Sequence, residues 1–366
     1  MICFYLLWTL CYLALMSWFA GKWPKRYEMS EFDRGLPAVT LLIPLRNEIE
    51  NLESLIAELA KITYVELEII LIDDQSDDGT FLFLEERTKA YPRIRLLKST
   101  GAGKKAAIQC GVEAANTELI LCTDADCSFP EFWVGEMVAP FIDPKTQLVA
   151  GPIISSGNTS FFERFQQIEW ASILLVTQFF FSQKKPLMCS AANFAYRKSA
   201  FQEVKGYDQN LQFWSGDDEF LLKKISAKFG EGSCVYLPYA GNLVYTKAQP
   251  TFFDLISQRV RWAGKWKQHK DLGHAFAAVA SFSIQVIWLM SVVLIGFGSL
   301  GLLVFLAVWL GKMLAEKLAL GGVLKALGLR LSLIDFLKTT ALHPFYLLTV
   351  AVGAARGKFV WKGRAN

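Results

Sequence analysis

Apolar positions fall into two kinds of run. Long uncharged stretches open the chain and dominate its last quarter, and short strand-like runs alternate with helical spacing between them. Residues 2–20 (ICFYLLWTLCYLALMSWFA) carry no charge and are just long enough to span a hydrocarbon core. Lys22, Lys25 and Arg26 follow, so positive-inside bias predicts an outside N-terminus and a cytoplasmic chain from residue 22. No basic n-region precedes the run and no small-x-small site precedes Gly21, which argues against a cleaved signal. Residues 275–311 contain no charged residue. They are too long for one span, and Gly296, Gly298 and Gly301 offer a turn, predicting helices over about 275–295 and 299–311. Residues 312–330 mix apolar positions with Lys312, Glu316, Lys317, Lys325 and Arg330 and read as interfacial or re-entrant. A last apolar stretch, 333–354, holds Asp335, Lys338 and a His343-Pro344 break, with Arg356, Lys358, Lys362 and Arg364 after it. Three full spans would put that basic tail outside, against the bias, so either one segment is re-entrant or the interfacial stretch spans.

Between these regions the period changes. Residues 39–43 (VTLLI) form a buried-type strand ended by Pro44. Residues 48–62 place Leu52, Leu55, Ile56 and Leu59 on one helical face. Residues 67–72 (LEIILI) predict a second strand, a helix follows Thr80, and Ile94–Leu97 predict a third strand. Residues 104–115 read as a helix and Leu119–Cys122 as a fourth strand. Such alternation predicts a mostly parallel sheet with helices on both faces. Ligands bind such sheets beyond the carboxyl ends of the strands.

Composition supports a soluble domain joined to membrane segments. Of 366 residues, 53% are hydrophobic and 20% charged, and the mean hydropathy is +0.29. That excludes a disordered, collagenous or small disulfide-framed chain. A net charge of +4 shows no nucleic-acid footprint. The seven cysteines include no C-x-x-C pair, and three histidines make a histidine-rich metal site a poor fit. Reduced thiols facing the cytosol are the expectation.

Four polar motifs punctuate this pattern. Asp73-Asp74-Gln75-Ser76-Asp77-Asp78-Gly79-Thr80 directly follows a strand; it suits a solvated turn capping the next helix, or a clamp accepting from a nucleoside. Thr123-Asp124-Ala125-Asp126 also follows a strand, and such a D-x-D can aim two carboxylates at one cation whose shell phosphates complete. Gly216-Asp217-Asp218-Glu219 precedes the helix-like FLLKKI, suiting either the helix dipole or a general base. Gln258-Arg259-Val260-Arg261-Trp262 fits an interfacial basic-aromatic anchor, or an arginine on phosphate beside an indole against sugar or lipid.

In this order the four motifs resemble membrane-bound family-2 glycosyltransferases of the nucleotide-binding GT-A fold, over roughly residues 38–265. Leu42-Ile43-Pro44-Leu45-Arg46-Asn47-Glu48 is similar to the family's first strand and uridine-contacting loop. Gly103-Lys104 through Gly111 is similar to G-K-x-x-A-L-N-x-G, with Ile108 and Gln109 where Leu and Asn are usual. Gln258, Arg261 and Trp262 match Q-x-x-R-W. The resemblance implies an α/β GT-A doubly wound mixed sheet, with one N-terminal and about three C-terminal membrane segments. It implies Asp218 as catalytic base, with Asp217 replacing a more usual Glu. Donor-binding residues would be Pro44, Arg46, Glu48, Asp73, Asp74, Lys104, Asp124, Asp217, Gln258, Arg261 and Trp262. Asp124 and Asp126 would hold Mg2+ or Mn2+. The expected domains are an N-terminal helix over 1–21 and a cytoplasmic catalytic domain over 22–270. That domain has a nucleotide-sugar half, 38–150, and an acceptor half, 151–270; a C-terminal membrane region, 271–366, follows it.

Q-x-x-R-W beside membrane helices occurs in processive polysaccharide synthases and in ceramide-glucosyltransferase-like enzymes. The tail Val360-Trp361-Lys362-Gly363-Arg364 is similar to bacterial lipid-type members, including hopanoid and carotenoid glycosyltransferases. The expected activity is inverting transfer from a nucleotide sugar, a UDP-sugar by family expectation, to a lipid at a bacterial inner membrane. A processive synthase is the alternative and a non-catalytic sugar-nucleotide binder a third reading. The aromatic stretch 160–181 reads either as core or as an amphipathic helix lining acceptor entry, and Asn193 either as an acceptor contact or as a turn residue.

Overall fold

The computed structural model describes residues 1–24, 37–208, 210–211, 216–264, 272–356, 360–361 and 364–365. Lys25, Arg26, Lys358, Lys362 and Gly363, invoked above, lie outside the described residues. The chain divides into two compact units. One comprises Met1–Lys25, Gly157–Phe179 and Ala248–Asn366, and the other Arg26–Ser156 and Phe180–Lys247.

In chain order the strands are β1 Val39–Leu45, β2 Leu67–Asp73, β3 Ile94–Lys98, β4 Leu119–Cys122, β5 Leu148–Ala150, β6 Ile153–Ser155, β7 Phe194–Arg197, β8 Cys234–Tyr236 and β9 Val244–Thr246. The principal helices are α1 Ile2–Ala20, α2 Leu52–Ala60, α3 Thr80–Arg87, α4 Lys104–Ala114, α5 Trp133–Val138, α6 Phe161–Ser182, α7 Lys198–Glu203, α8 Asp217–Phe229, α9 Phe252–Ala263, α10 Leu272–Met290, α11 Gly298–Ala326 and α12 Leu333–Arg356.

The second unit is built on a seven-stranded sheet of order β3-β2-β1-β4-β7-β5-β8. The first four strands are parallel, β7 runs antiparallel to β4 and β5, and β5 pairs parallel with β8. The sheet is therefore a mixed α/β sheet, as expected. β1 and β4 are almost wholly apolar because both faces are covered, the one polar residue, Thr40, being bonded to Glu68. α4 lies close on this sheet, and a Cβ at Gly111 would come within 3.0 Å of Leu42 and Ile72 side-chain carbons. The glycine sets that approach. Because β1, β2, β3 and β4 all run parallel, the loops after them lie at one edge, at the strands' carboxyl ends.

Pro44 does not end β1. The strand continues to Leu45, with Pro44 opposite Ile72. Leu42 C=O accepts from Thr123 N–H, so alternate residues of β1, including Pro44, face β4. Pairing with β4 stops at Leu42, so the missing N–H of Pro44 interrupts no ladder bond. The α2 face is as expected, with Leu52, Leu55, Ile56 and Leu59 buried.

The other unit is helical. Among the described residues, Ile2–Ala20 and Phe276–Ala326 are the two helical segments long and apolar enough, by length and composition, to cross a membrane. The expected end near residue 311 is absent, because α11 continues through the predicted interfacial stretch. Lys312 Nζ donates to Glu316 Oε1 at 2.6 Å one turn on, Tyr12 donates to the same oxygen at 3.2 Å, and Thr340 donates to Oε2. These charges are satisfied internally, so they do not break the helix. α12 likewise passes through His343 and Pro344 without a break. Beyond the proline, Tyr346 and Val350 pack with Phe165 and Leu255, and that packing offsets the lost hydrogen bond. The turn between α10 and α11 occupies Ser291–Phe297, with Gly298 at φ 71°. Within 160–181, Phe165, Trp170, Phe179 and Phe181 are buried, which favours core packing. All seven cysteines are free thiols.

Candidate active site

The loops after β1 and β2 are knitted together. Arg46 Nη1 donates to the carbonyls of Asp74 and Gln75, both at 2.8 Å. Asn47 N–H donates to Ser76 Oγ, and the Asn47 amide exchanges hydrogen bonds with Asp77. Glu48 N–H donates to Thr80 Oγ1 at 2.9 Å, and Asp78 accepts from the N–H groups of Ile49 and Thr80. Asp77 and Asp78 are thus the turn-forming acids. Asp73 and Asp74 are buried. Asp74 Oδ1 accepts from Gly103 N–H at 2.7 Å, fixing the start of α4. Asp73 Oδ2 accepts from Ser76 N–H at 3.3 Å, while its buried Oδ1 has no partner among the described residues. An unsatisfied buried carboxylate oxygen is costly in isolation and suits a ligand donor.

Lys104, the first residue of α4, joins two motifs distant in sequence. Its Nζ lies 2.6 Å from Asp124 Oδ1 and 3.4 Å from Asp217 Oδ2. Burial alone would lower its pKa, but Asp124, Asp217 and Asp218 raise it and hold the ammonium charged. Burial pushes the Asp124 carboxyl up, Lys104 pulls it down, and Asp126 and Asp217 push it up further; the net direction is upward. Negative charge exceeds positive in this group, the electrostatic setting in which a further cation is favoured.

Asp126 Oδ2 accepts from Thr246 Oγ1 on β9 at 3.0 Å. Asp217 and Asp218 open α8 after Gly216, whose φ of 87° needs a glycine. Asp218 is aimed by two backbone donors: Ala191 N–H at 3.0 Å to Oδ2 and Glu219 N–H at 2.7 Å to Oδ1. Thr123 Oγ1 donates to Ala192 C=O at 2.9 Å, so the segment at 191–192 links the D-x-D loop to Asp218. Asn193 locks that segment. Its Oδ1 accepts from Trp133 Nε1 at 2.9 Å, and its Nδ2 donates to the carbonyls of Pro152 and Asn242. Fully buried, with both side-chain polar atoms partnered, Asn193 serves as a scaffold residue.

Among the described residues no three His, Cys, Asp or Glu groups could hold a metal by themselves. A pair of carboxylates, Asp124 and Asp126, is what a cation takes when water and phosphate supply its other ligands. The donor set therefore fits Mg2+ or Mn2+ brought in with a diphosphate.

Gln258, Arg261 and Trp262 lie on α9, in the other unit. The buried cation there is Arg259, which sequence reasoning passed over. Its Nε donates to Glu169 Oε1 at 2.8 Å and its Nη2 to Oε2 at 2.5 Å. Tyr346 OH donates to the same Oε1 at 2.9 Å. Arg259 also donates to Gln258 Oε1 and stacks 4.1 Å from the Trp262 ring. Burial disfavours ionised Glu169, but Arg259 and the Tyr346 hydroxyl hold its carboxyl below the usual range. The signal in the sequence was Glu169 in the middle of an aromatic helix, a turn and more beyond Glu163 and Arg164, and burial makes it informative.

Residues 40–205 match the family described as Glycosyl transferase family 2. The chain is 27% identical over 231 residues to a poly-beta-1,6-N-acetyl-D-glucosamine synthase of Staphylococcus epidermidis, covering 62% of this chain and 53% of that protein. It is 28% identical over 121 residues to glycosyltransferase AglE of Haloferax volcanii, covering 32% and 40%. The chain thus spans about half the length, or less, of these curated relatives. Among solved structures, mannosyltransferase PcManGT from Pyrobaculum calidifontis, in complex with GDP-Man and Mn2+, shares the fold at a TM-score of 0.59. Its identity is 18%, with 97% of each chain covered. Residues 40–205 are thus similar to family 2 glycosyltransferases, and the mixed α/β sheet that carries them has the fold of a solved GT-A glycosyltransferase.

Proposed function

We propose that this chain is an inverting, membrane-associated glycosyltransferase that moves one sugar from a nucleoside diphosphate sugar, of UDP type, to a lipid hydroxyl. The observation that carries the reading is the meeting of Lys104, Asp124, Asp217 and Asp218 beyond the strand ends, with the half-satisfied Asp73 at the end of β2 in the same sheet. Asp73 and Asp74 receive the nucleoside, in a loop framed by Pro44, Arg46 and Glu48. Asp124 and Asp126 hold a divalent cation, which when bound supplies charge neutralisation at the donor diphosphate. Lys104 and Asp217 set the charge around that diphosphate. Asp218, held by two backbone donors, takes the proton of the acceptor hydroxyl as the anomeric carbon is attacked and the nucleotide leaves. On α9, Arg261 serves the leaving phosphates, and Gln258 and Trp262 the sugar or lipid.

The catalytic domain is assigned to 22–270, with 38–150 for donor and 151–270 for acceptor, between a helical anchor over 1–21 and a membrane region over 271–366. The two long apolar helices and the basic residue after the first support a multi-pass protein of a bacterial inner membrane with its domain in the cytoplasm. A processive synthase is the second reading, favoured by the staphylococcal similarity.

A donor-and-metal screen on full-length protein in detergent with total lipid extract separates these. Nucleotide release is followed and products are weighed by mass spectrometry. One sugar on a lipid-sized acceptor is the expected result. Polymer moves the function to a synthase with the same site, and donor binding without release leaves a non-catalytic binder.

A further inference from the structure

A cation entering at Asp124 meets an ammonium already seated there. Lys104 Nζ is 2.6 Å from Asp124 Oδ1, the contact length of a strong charge-assisted hydrogen bond. A metal and an ammonium cannot both sit on that oxygen without close like-charge repulsion. The surroundings provide somewhere for the ammonium to go. Asp217 Oδ2 lies 3.4 Å from Nζ, and the Lys104 side chain keeps 20% of its surface exposed. The backbone beneath it is fixed, because Gly103 N–H is tied to Asp74 Oδ1. Above that anchor runs a flexible four-carbon stem.

We propose that Lys104 is a resident counter-cation of the acid cluster, exchanged when metal binds. Before donor arrives it holds Asp124 and Asp217 together and keeps the carboxylates from repelling one another apart. A divalent cation arriving at Asp124 and Asp126 displaces the ammonium from Asp124. Lys104 then keeps Asp217 as one counter-charge and presents its remaining N–H donors to the donor diphosphate. Metal and nucleotide therefore bind with positive coupling, because one prepares a cation for the other. This inference rests on the reading of Asp124 and Asp126 as the cation's ligands.

The test is binding of Mn2+ alone to the full chain in detergent, read from loss of the free-ion paramagnetic resonance signal. Lys104→Met is expected to bind Mn2+ about tenfold more tightly or better, since a competing positive charge has gone, and Lys104→Arg to stay within about threefold of wild type. Unchanged or weaker binding in Lys104→Met overturns the exchange, as does failure of both proteins to bind Mn2+. A second measurement needs no variant. Acetylation of Lys104 in the wild-type protein, followed by mass spectrometry, is expected to rise several-fold on adding Mn2+ and to fall again with UDP; a rate indifferent to Mn2+ overturns the proposal. If Mn2+ binds more tightly to Lys104→Met but the wild-type protein turns over no donor, the exchange stands and the transferase reading falls.

Discussion

Two cations, Lys104 and Arg259, each sit among carboxylates, and they teach opposite lessons. Arg259 meets one carboxylate, Glu169, through two hydrogen bonds; Tyr346 completes that carboxylate, and both side chains are more than nine-tenths buried. Charge and hydrogen-bonding capacity balance, so the group is a finished piece of scaffold. Lys104 is shared between Asp124 and Asp217 in the field of Asp218, with Asp126 acting on Asp124. The charge there does not balance, and Lys104 and Asp124 keep a fifth to a third or so of their surface in solvent. An unbalanced, partly open cluster is built for a ligand, and a balanced, closed one for shape.

The comparison is broken most sharply at Asp218. Replacing it with Asn should cut transfer by roughly 10²–10⁴-fold, with UDP and Mn2+ affinity within a few-fold of wild type by equilibrium binding. Turnover near the wild-type rate would remove Asp218 as base. The next effect is on stability. Glu169→Ala leaves Arg259 buried without its counter-charge and should cost about 3–5 kcal/mol, read from denaturant or thermal unfolding in detergent. Lys104→Met should cost distinctly less, because Asp124, its nearer carboxylate, retains access to water. Equal losses would show that the two centres are the same kind of structure.

A third buried acid sharpens the contrast, since it has neither kind of partner. Both oxygens of Glu136 on α5 are unpartnered among the described residues, and burial pushes its carboxyl up from 4.5 to about 7. The folded state holds the proton more tightly than the unfolded chain. Its contribution is fully present below pH 4.5 and is lost as pH rises through about 7. Glu136→Gln removes that loss, so its stability advantage should grow across this window to at most ~3 kcal/mol and then level off. A difference independent of pH between 4 and 8, in matched melts, would mean that Glu136 has found a partner. The smallest effect is expected at the exposed pair Arg87–Glu53, 3.2 Å apart. Glu53→Ala should change stability by less than ~1 kcal/mol, which sets the scale for the buried pairs in the same assay.

Much of the donor side was legible in the sequence. The strands β1, β2 and β4 are short and mostly apolar, and the acids at Asp73, Asp74, Asp124 and Asp126 land at strand ends by continuity alone. Gly103 and Gly216 mark the starts of α4 and α8 because each has a φ that other residues resist. The helix face of Leu52, Leu55, Ile56 and Leu59 is a local period. The misreadings share a different origin. Pro44 looked like a terminator, yet its missing N–H points where β4 has already ended. Lys312 and Glu316 looked like a membrane boundary, yet each answers the other one turn away, with Tyr12 and Thr340 arriving from other helices.

The sequence by itself determined the alternation of strands and helices, the two long apolar helical regions and the set of acids available for chemistry. These follow from period, length and residue type, which act over a few neighbours. Only the tertiary structure decided which acids share a lysine, that Asn193 serves to hold its segment, and that Glu169 answers Arg259 from 90 residues away. Pairing of charges across such distances depends on where burial removes water and which groups are left facing one another, and no local pattern encodes that.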